Sequence, residues 1–180
     1  MVLLGKSGVR YTSSKVREAI FNILGDMEGK RVLDLFAGSG SFAIEALSRG
    51  AASASLVEID RDMVKIIEKN LASLNLNKSC HVFTMDVVYA VPFLAKRNFS
   101  YDIIFMDPPY DKGYVGELMR LLKTNRLYHD GTIIVIEHSK RETSAFSDFK
   151  EHYQINSKSY GDTFITLLQA DHITVERRSS

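Results

Sequence analysis

Arg31-Val-Leu-Asp-Leu-Phe-Ala-Gly-Ser-Gly40 sets out an apolar run, an acid within it and a glycine loop, in that order. The near-continuous apolar run to Phe36 reads as a strand buried on both faces. Gly38 and Gly40 let the backbone turn tightly and come close to a ligand. The residues that follow, Ser41 to Arg49, place Phe42, Ala43, Ala46 and Leu47 at helical spacing and stop at Gly50. A helix starting there presents unpaired N–H groups to the loop. Strand, glycine loop and helix in succession open an α/β sheet.

The alternation continues in the same sense. Ser53 to Glu58 reads as a second strand, and the helix after it carries Met63, Ile67, Leu71 and Leu74 on one side. His81 to Met85 is a third strand, Val87 to Arg97 a short helix containing Pro92, Tyr101 to Met106 a fourth strand, Tyr114 to Lys123 a helix and Gly131 to Glu137 a fifth strand. Phe149 to Ser159 and Thr163 to Gln169 then read as two strands joined at Tyr160-Gly161-Asp162, a turn that favours an antiparallel hairpin. Ahead of the sheet, Thr12, Ser13 and Ser14 offer caps to a helix whose buried stripe is read as Val16, Ala19, Ile20, Ile23 and Leu24. The expectation is one domain over residues 1–180: a basic arm and helix at 1–30, a catalytic sheet at 31–170 with helices on both faces, and a flexible tail at 171–180.

A chain of 180 residues with 45% hydrophobic and 25% charged content buries a core without disulfides or metal. Cys80 is the single cysteine and reads as a small buried hydrophobe in a reducing compartment. No apolar run nears the roughly 20 residues of a membrane span, so a cytoplasmic protein away from membranes is expected. The five histidines show no metal-ligand spacing, no metal is expected, and Glu137-His138-Ser139 reads as a strand end. Net charge is only +1, yet Lys6, Arg10, Lys15 and Arg17 face Glu18 alone in the first 24 residues. A positive arm on a slightly acidic body suits contact with phosphates, and equally suits a solvated helix face.

Glu58, closing the second strand 18 residues after Gly40, is placed to accept hydrogen bonds from the two hydroxyls of a ribose. An adenosine-containing cofactor follows. Gly38-Ser-Gly40-Ser-Phe-Ala43 also satisfies the dinucleotide form G-x-G-x-x-A, which keeps a nicotinamide cofactor open. Asp34 favours S-adenosylmethionine, because a carboxylate just before the loop repels a pyrophosphate and suits the amino group of a methionine moiety. Asp86, closing the third strand, either takes the adenine amino group or caps the next helix.

The fourth strand ends in Asp107-Pro-Pro-Tyr110. The Asp107 carboxylate and the Pro108 carbonyl are two acceptors on a stiff corner, suited to the protons of an exocyclic base amine, whose lone pair they would localise. Tyr110 offers a flat face for an extruded base. The bland alternative is a proline-capped strand with a turn-forming Asp and a packing Tyr.

With these residues in place the chain resembles the bacterial methyltransferases that modify the exocyclic 2-amino group of a guanine in small-subunit (16S) ribosomal RNA. The likeness rests on Arg10 to Asn22, on Val32 to Gly40 with Ile44 to Gly50, on Val57-Glu-Ile-Asp60, on Asp107 to Tyr110 and on Lys158 to Asp162. It implies a Rossmann-like sheet of seven strands, S-adenosylmethionine as donor, ribosomal RNA within a partly assembled 30S subunit as substrate, and no obligatory protein partner. It implies cofactor contacts at Asp34, Phe36, Gly38, Gly40, Glu58 and Asp86, and amine handling at Asp107, Pro108 and Tyr110. Arg10, Thr12, Lys15 and Arg17 match the block expected near the methionine end of the cofactor or the RNA. The sequence departs at Arg10-Tyr-Thr12, where the family usually has Arg-Pro-Thr, and in the few residues ahead of Arg10, where members usually carry a basic hairpin; part of the RNA-docking surface is expected to be absent or the start to be internal. Adenine 6-amino methylation of RNA or DNA is the alternative that the same corner would serve.

Overall fold

Tyr101–Met106 (β4) is the middle strand of a seven-stranded sheet ordered β3-β2-β1-β4-β5-β7-β6. The protein is described by a computed structural model over residues 13–149 and 153–170; the expectations for Arg10, Thr12, the residues ahead of them and the tail lie outside the described residues. In chain order the elements are α1 (Ser14–Leu24), β1 (Arg31–Asp34), α2 (Ser41–Ser48), β2 (Ser53–Glu58), α3 (Arg61–Ser73), β3 (Cys80–Thr84), α4 (Val87–Ala95), β4, α5 (Tyr114–Thr124) and β5 (Tyr128–Ser139). A run of 3₁₀ turns (Lys140–Phe149) leads to the hairpin β6 (Tyr153–Tyr160) and β7 (Thr163–Ala170). β1 to β5 pair in parallel, and β7 pairs antiparallel with both β5 and β6. This is the expected Rossmann-like, mostly parallel sheet with a C-terminal hairpin, covered on both faces.

Two apolar layers account for the sandwich. α1, α2 and α3 bury Ile20, Phe42, Ile44, Ile67 and Leu71 against one face of the sheet. α4, α5 and the 3₁₀ run bury Val91, Leu94, Leu118, Leu122 and Phe146 against the other. From β1 the chain winds outward through β2 to β3, then returns to β4 on the opposite side of β1. Such a reversal opens a crevice at the carboxyl ends of β1 and β4.

Several boundaries differ from the sequence reading, each for a tertiary reason. β5 is longer than Gly131 to Glu137, because pairing of Glu137, His138 and Ser139 with Ile165, Phe164 and Thr163 of β7 carries it to Ser139. Pro92 sits inside α4 without ending it, and Phe149 belongs to a 3₁₀ run that the sequence pattern does not announce. In α1 the buried stripe contains Phe21, 1% exposed, whereas Ile23 is 48% exposed. Phe21 wins that position because its ring stacks on Phe42 at 4.7 Å between centroids, and Phe42 stacks on Phe105 of β4 at 3.9 Å. Three aromatic rings from three elements thus hold α1 and α2 to the central strand directly beneath the crevice.

No helix among the described residues is long and apolar enough to cross a membrane. Truncating the middle ring of the stack, Phe42→Ala, is expected to cost about 3–5 kcal/mol of folding stability, read as a lowered midpoint in denaturant unfolding.

Candidate functional site

Register places the first two carboxylates. Asp34, the last residue of β1, lies opposite Phe105 of β4, and Asp107 follows Phe105 by two residues, so both acids surface at the same point of the sheet's carboxyl edge. Asp34 is 1% exposed, and its Oδ1 has no hydrogen-bond partner among the described residues. Burial, and then the neighbouring Asp107 and Glu58 carboxylates, push its pKa up to about 8, against the lowering effect of backbone N–H groups at Phe36 and Ala43. A buried acid with an orphaned oxygen is poised for a cation.

The glycine loop divides its work between two glycines. Gly38 reaches the cleft wall, and its N–H donates to Glu58 Oε2 at 2.9 Å. The Asp60 N–H donates to Glu58 Oε1 at 2.8 Å, so the carboxylate is tied to the loop while retaining lone pairs for a ligand. Gly40 is turned inward: at φ +77° a Cβ there would stand 3.2 Å from Leu56 Cδ2 and 3.5 Å from Ile67 Cγ2. Any side chain at Gly40 would therefore press on β2 and α3, and Gly40 is not among the residues that line the cleft. Beneath the loop, buried Asn70 of α3 donates from Nδ2 to the Ser39 carbonyl at 3.0 Å, a support that no local sequence signal reveals.

A cleft of about 490 Å³ opens here, lined by Asp34, Phe36, Gly38 and Ser41 on the β1 side, Glu58 and Ile59 on the β2 side, and Asp107, Pro108 and Tyr110 on the β4 side. Arg17 of α1 and Tyr114 of α5 complete its wall. A narrower slot shares Phe36, Glu58, Ile59 and Tyr114 with it and continues to Met85, Asp86 and Val87. Ile59 is absent from the residues expected at the site, although a 64%-exposed apolar side chain directly after a strand-ending acid is the kind of surface that a flat aromatic ligand would cover. Asp86 Oδ1 accepts from the Val88 N–H at 2.9 Å, so this residue caps α4, one of the two roles open to it from sequence, and it also borders the slot. Lys15 is exposed on α1 and lies off the cleft.

At the β4 corner Pro108 is buried and Pro109 exposed. The Tyr110 hydroxyl donates to Glu137 Oε1 at 3.1 Å and lies 3.0 Å from Thr163 Oγ1. Asp111 holds a left-handed φ of 56° and accepts from Ser139 Oγ at 2.8 Å and Arg141 Nη1 at 3.1 Å.

Comparison with known proteins meets this geometry. The family model described as conserved hypothetical protein 95 matches residues 1–169. The chain belongs to that family. A protein of Bacillus subtilis assigned as a ribosomal RNA methyltransferase is 35% identical over 162 residues, which are 89% of this chain and 88% of that one. The ribosomal RNA small subunit methyltransferase D of Escherichia coli is 39% identical over 131 residues, 72% of this chain and 64% of its own. Among solved structures, an Escherichia coli protein assigned as a methyltransferase superposes with a TM-score of 0.80 at 33% identity, covering 94% of this chain and 91% of that one. A more distant structure of the same fold, TM-score 0.67 at 18% identity, carries S-adenosylhomocysteine.

The residues present fit S-adenosylmethionine: a buried orphaned carboxylate for an ammonium, an acid tied to the glycine loop for hydroxyls, and an apolar slot for a flat ring. Because the raised pKa of Asp34 lies above its ordinary 3.8, burying the carboxyl costs progressively more stability as pH rises from about 4 to about 8. Asp34→Asn is therefore expected to melt above the parent when donor-free at pH 9, with the gap closing toward pH 5, and to bind S-adenosylhomocysteine more than about tenfold more weakly, both readable by differential scanning fluorimetry and calorimetry.

Proposed function

We propose that this protein transfers a methyl group to the exocyclic 2-amino group of a guanine in small-subunit ribosomal RNA, acting in the cytoplasm on RNA within a partly assembled 30S subunit. The observation that carries the reading is the cleft shared by Asp34, Gly38 and the Asp107-Pro108-Pro109-Tyr110 corner. The names of the Bacillus subtilis and Escherichia coli relatives support an RNA substrate and, in the second, the small subunit.

In this reading Asp34 pairs with the donor's amino group, Glu58 holds the ribose, Phe36, Gly38 and the slot ending at Asp86 take the adenosine, and Gly40 keeps the loop in shape. Arg17, on the cleft wall, meets the donor's carboxylate. Lys15, exposed on α1, is assigned to the RNA backbone, and so by their place in the sequence are Arg10 and Thr12, which lie outside the described residues. When bound, S-adenosylmethionine supplies a methyl group made electrophilic by its sulfonium. The chain's own task is to make the amine a nucleophile. Its lone pair is delocalised into the base, and the Asp107 carboxylate and Pro108 carbonyl, accepting its two protons, draw that pair out toward the methyl group. The proline corner holds these acceptors in advance, so little reorganisation opposes the reaction. Tyr110 stacks on the extruded base, a contact worth about 1–3 kcal/mol. The new N–C bond would replace the donor's S–CH3 bond, whose electron pair stays on sulfur as the donor leaves as the neutral thioether S-adenosylhomocysteine, and the amine would lose one proton along its hydrogen bond to Asp107.

Labelled donor incubated with immature small subunits, naked 16S RNA and duplex DNA tests the reading. Label is expected in RNA, recovered as N2-methylguanosine; label in DNA alone, or in N6-methyladenosine, overturns it. Asp107→Ala is expected to lower turnover by about 10²–10³-fold while leaving donor affinity within about threefold, and retained turnover would remove Asp107 from its role.

A further inference from the structure

Glu137 lies at the end of β5, 2% exposed, on a strand that supplies none of the cleft lining among the described residues. Its Oε1 nevertheless accepts the Tyr110 hydroxyl proton at 3.1 Å, and Thr163 Oγ1 of β7 stands 3.0 Å from the same hydroxyl. A phenol has one proton, so donation to Glu137 leaves Thr163 as the donor to Tyr110. The sheet builds this pocket for the phenol: Ser139 pairs with Thr163 and Glu137 with Ile165, which sets Glu137 and Thr163 diagonally on one face at the carboxyl edge. One residue further on, Asp111 is fixed to the same strand end by Ser139 Oγ at 2.8 Å and Arg141 Nη1 at 3.1 Å, in a left-handed backbone conformation that costs free energy outside glycine. Two consecutive residues of the corner are thus fastened to β5 and its exit, while the prolines stiffen only the side facing β4.

We infer that Glu137 and Thr163 are positioning residues for methyl transfer: through the Tyr110 hydroxyl they set the tilt of the ring on which the acceptor base rests. This inference rests on the stacking role proposed for Tyr110. The carboxylate is the dominant anchor, because a hydrogen bond to a charged acceptor is stronger than one between neutral groups. Gln at 137 keeps an acceptor in place, whereas Leu removes it.

Two measurements decide the matter. In protein labelled with ¹³C-tyrosine and given S-adenosylhomocysteine but no RNA, Glu137→Leu is expected to shift and sharpen the Tyr110 ring signals as the ring begins to flip freely, with Glu137→Gln close to the parent. Unmoved Tyr110 signals in Glu137→Leu, or in Thr163→Val where Leu unfolds the chain, overturn the anchor whatever the substrate proves to be. In the methylation assay, Glu137→Leu is expected to lose about tenfold in kcat at unchanged donor KM, with Glu137→Gln within about threefold of the parent. The difference between Leu and Gln is expected to vanish in a Tyr110→Phe background, because the inferred effect of Glu137 on methyl transfer passes through that hydroxyl. A difference that persists there makes Glu137 merely structural and overturns the inference while leaving the proposed reaction standing. An inactive parent on every RNA defeats the substrate reading instead, and the ring signals still decide the anchor.

Discussion

Parallel pairing of β1 with β4, in the register that sets Asp34 beside Phe105, is the arrangement from which the site follows. It brings the acid of the glycine-loop strand and the acid of the proline corner to one spot of the sheet edge, far apart as they are in the chain. Burial and this proximity make Asp34 costly to ionise, with its pKa pushed up to about 8. Phe42 and Phe105 of the aromatic stack line the cleft at that spot, so the packing that fastens α1 and α2 to the sheet also helps to form the cleft.

Around this centre the work is divided by strand. β1 and its loop form one wall of the cleft, with Gly38 tied to Glu58 of β2 and Ser39 held from below by Asn70. β4 ends in the corner that carries Asp107 and Pro108 into the cleft. β5 and β7 contribute no cleft lining among the described residues, yet they hold Tyr110 and Asp111 through Glu137, Thr163 and Ser139. The antiparallel hairpin therefore does more than close the sheet: its pairing with β5 builds the anchor for the corner.

Much of the architecture is legible from sequence because parallel sheets leave a strong signature. Apolar runs buried on both faces, separated by helical periodicity and glycine, locate β1, β2, β4 and α3 with little ambiguity. Boundaries go astray where partners from elsewhere decide them. Local pattern ends β5 too early because β7 pairs with its last residues, and it passes over Phe21 because the burial of that ring depends on Phe42. Among site residues, Asp34, Glu58 and Asp107 stand out from their places at strand ends. At Gly40 only the packing of Leu56 and Ile67 shows what an added side chain would meet.

The order of strands and helices, the glycine loop and the chemical type of each strand-ending residue are written locally, because they depend on periodicity and side-chain chemistry. Which of those residues meet is a matter of tertiary contact. Asp34 acquires its raised pKa, Asn70 its place under the loop, and Glu137 its hold on Tyr110 from register and burial, which couple positions that no local pattern connects.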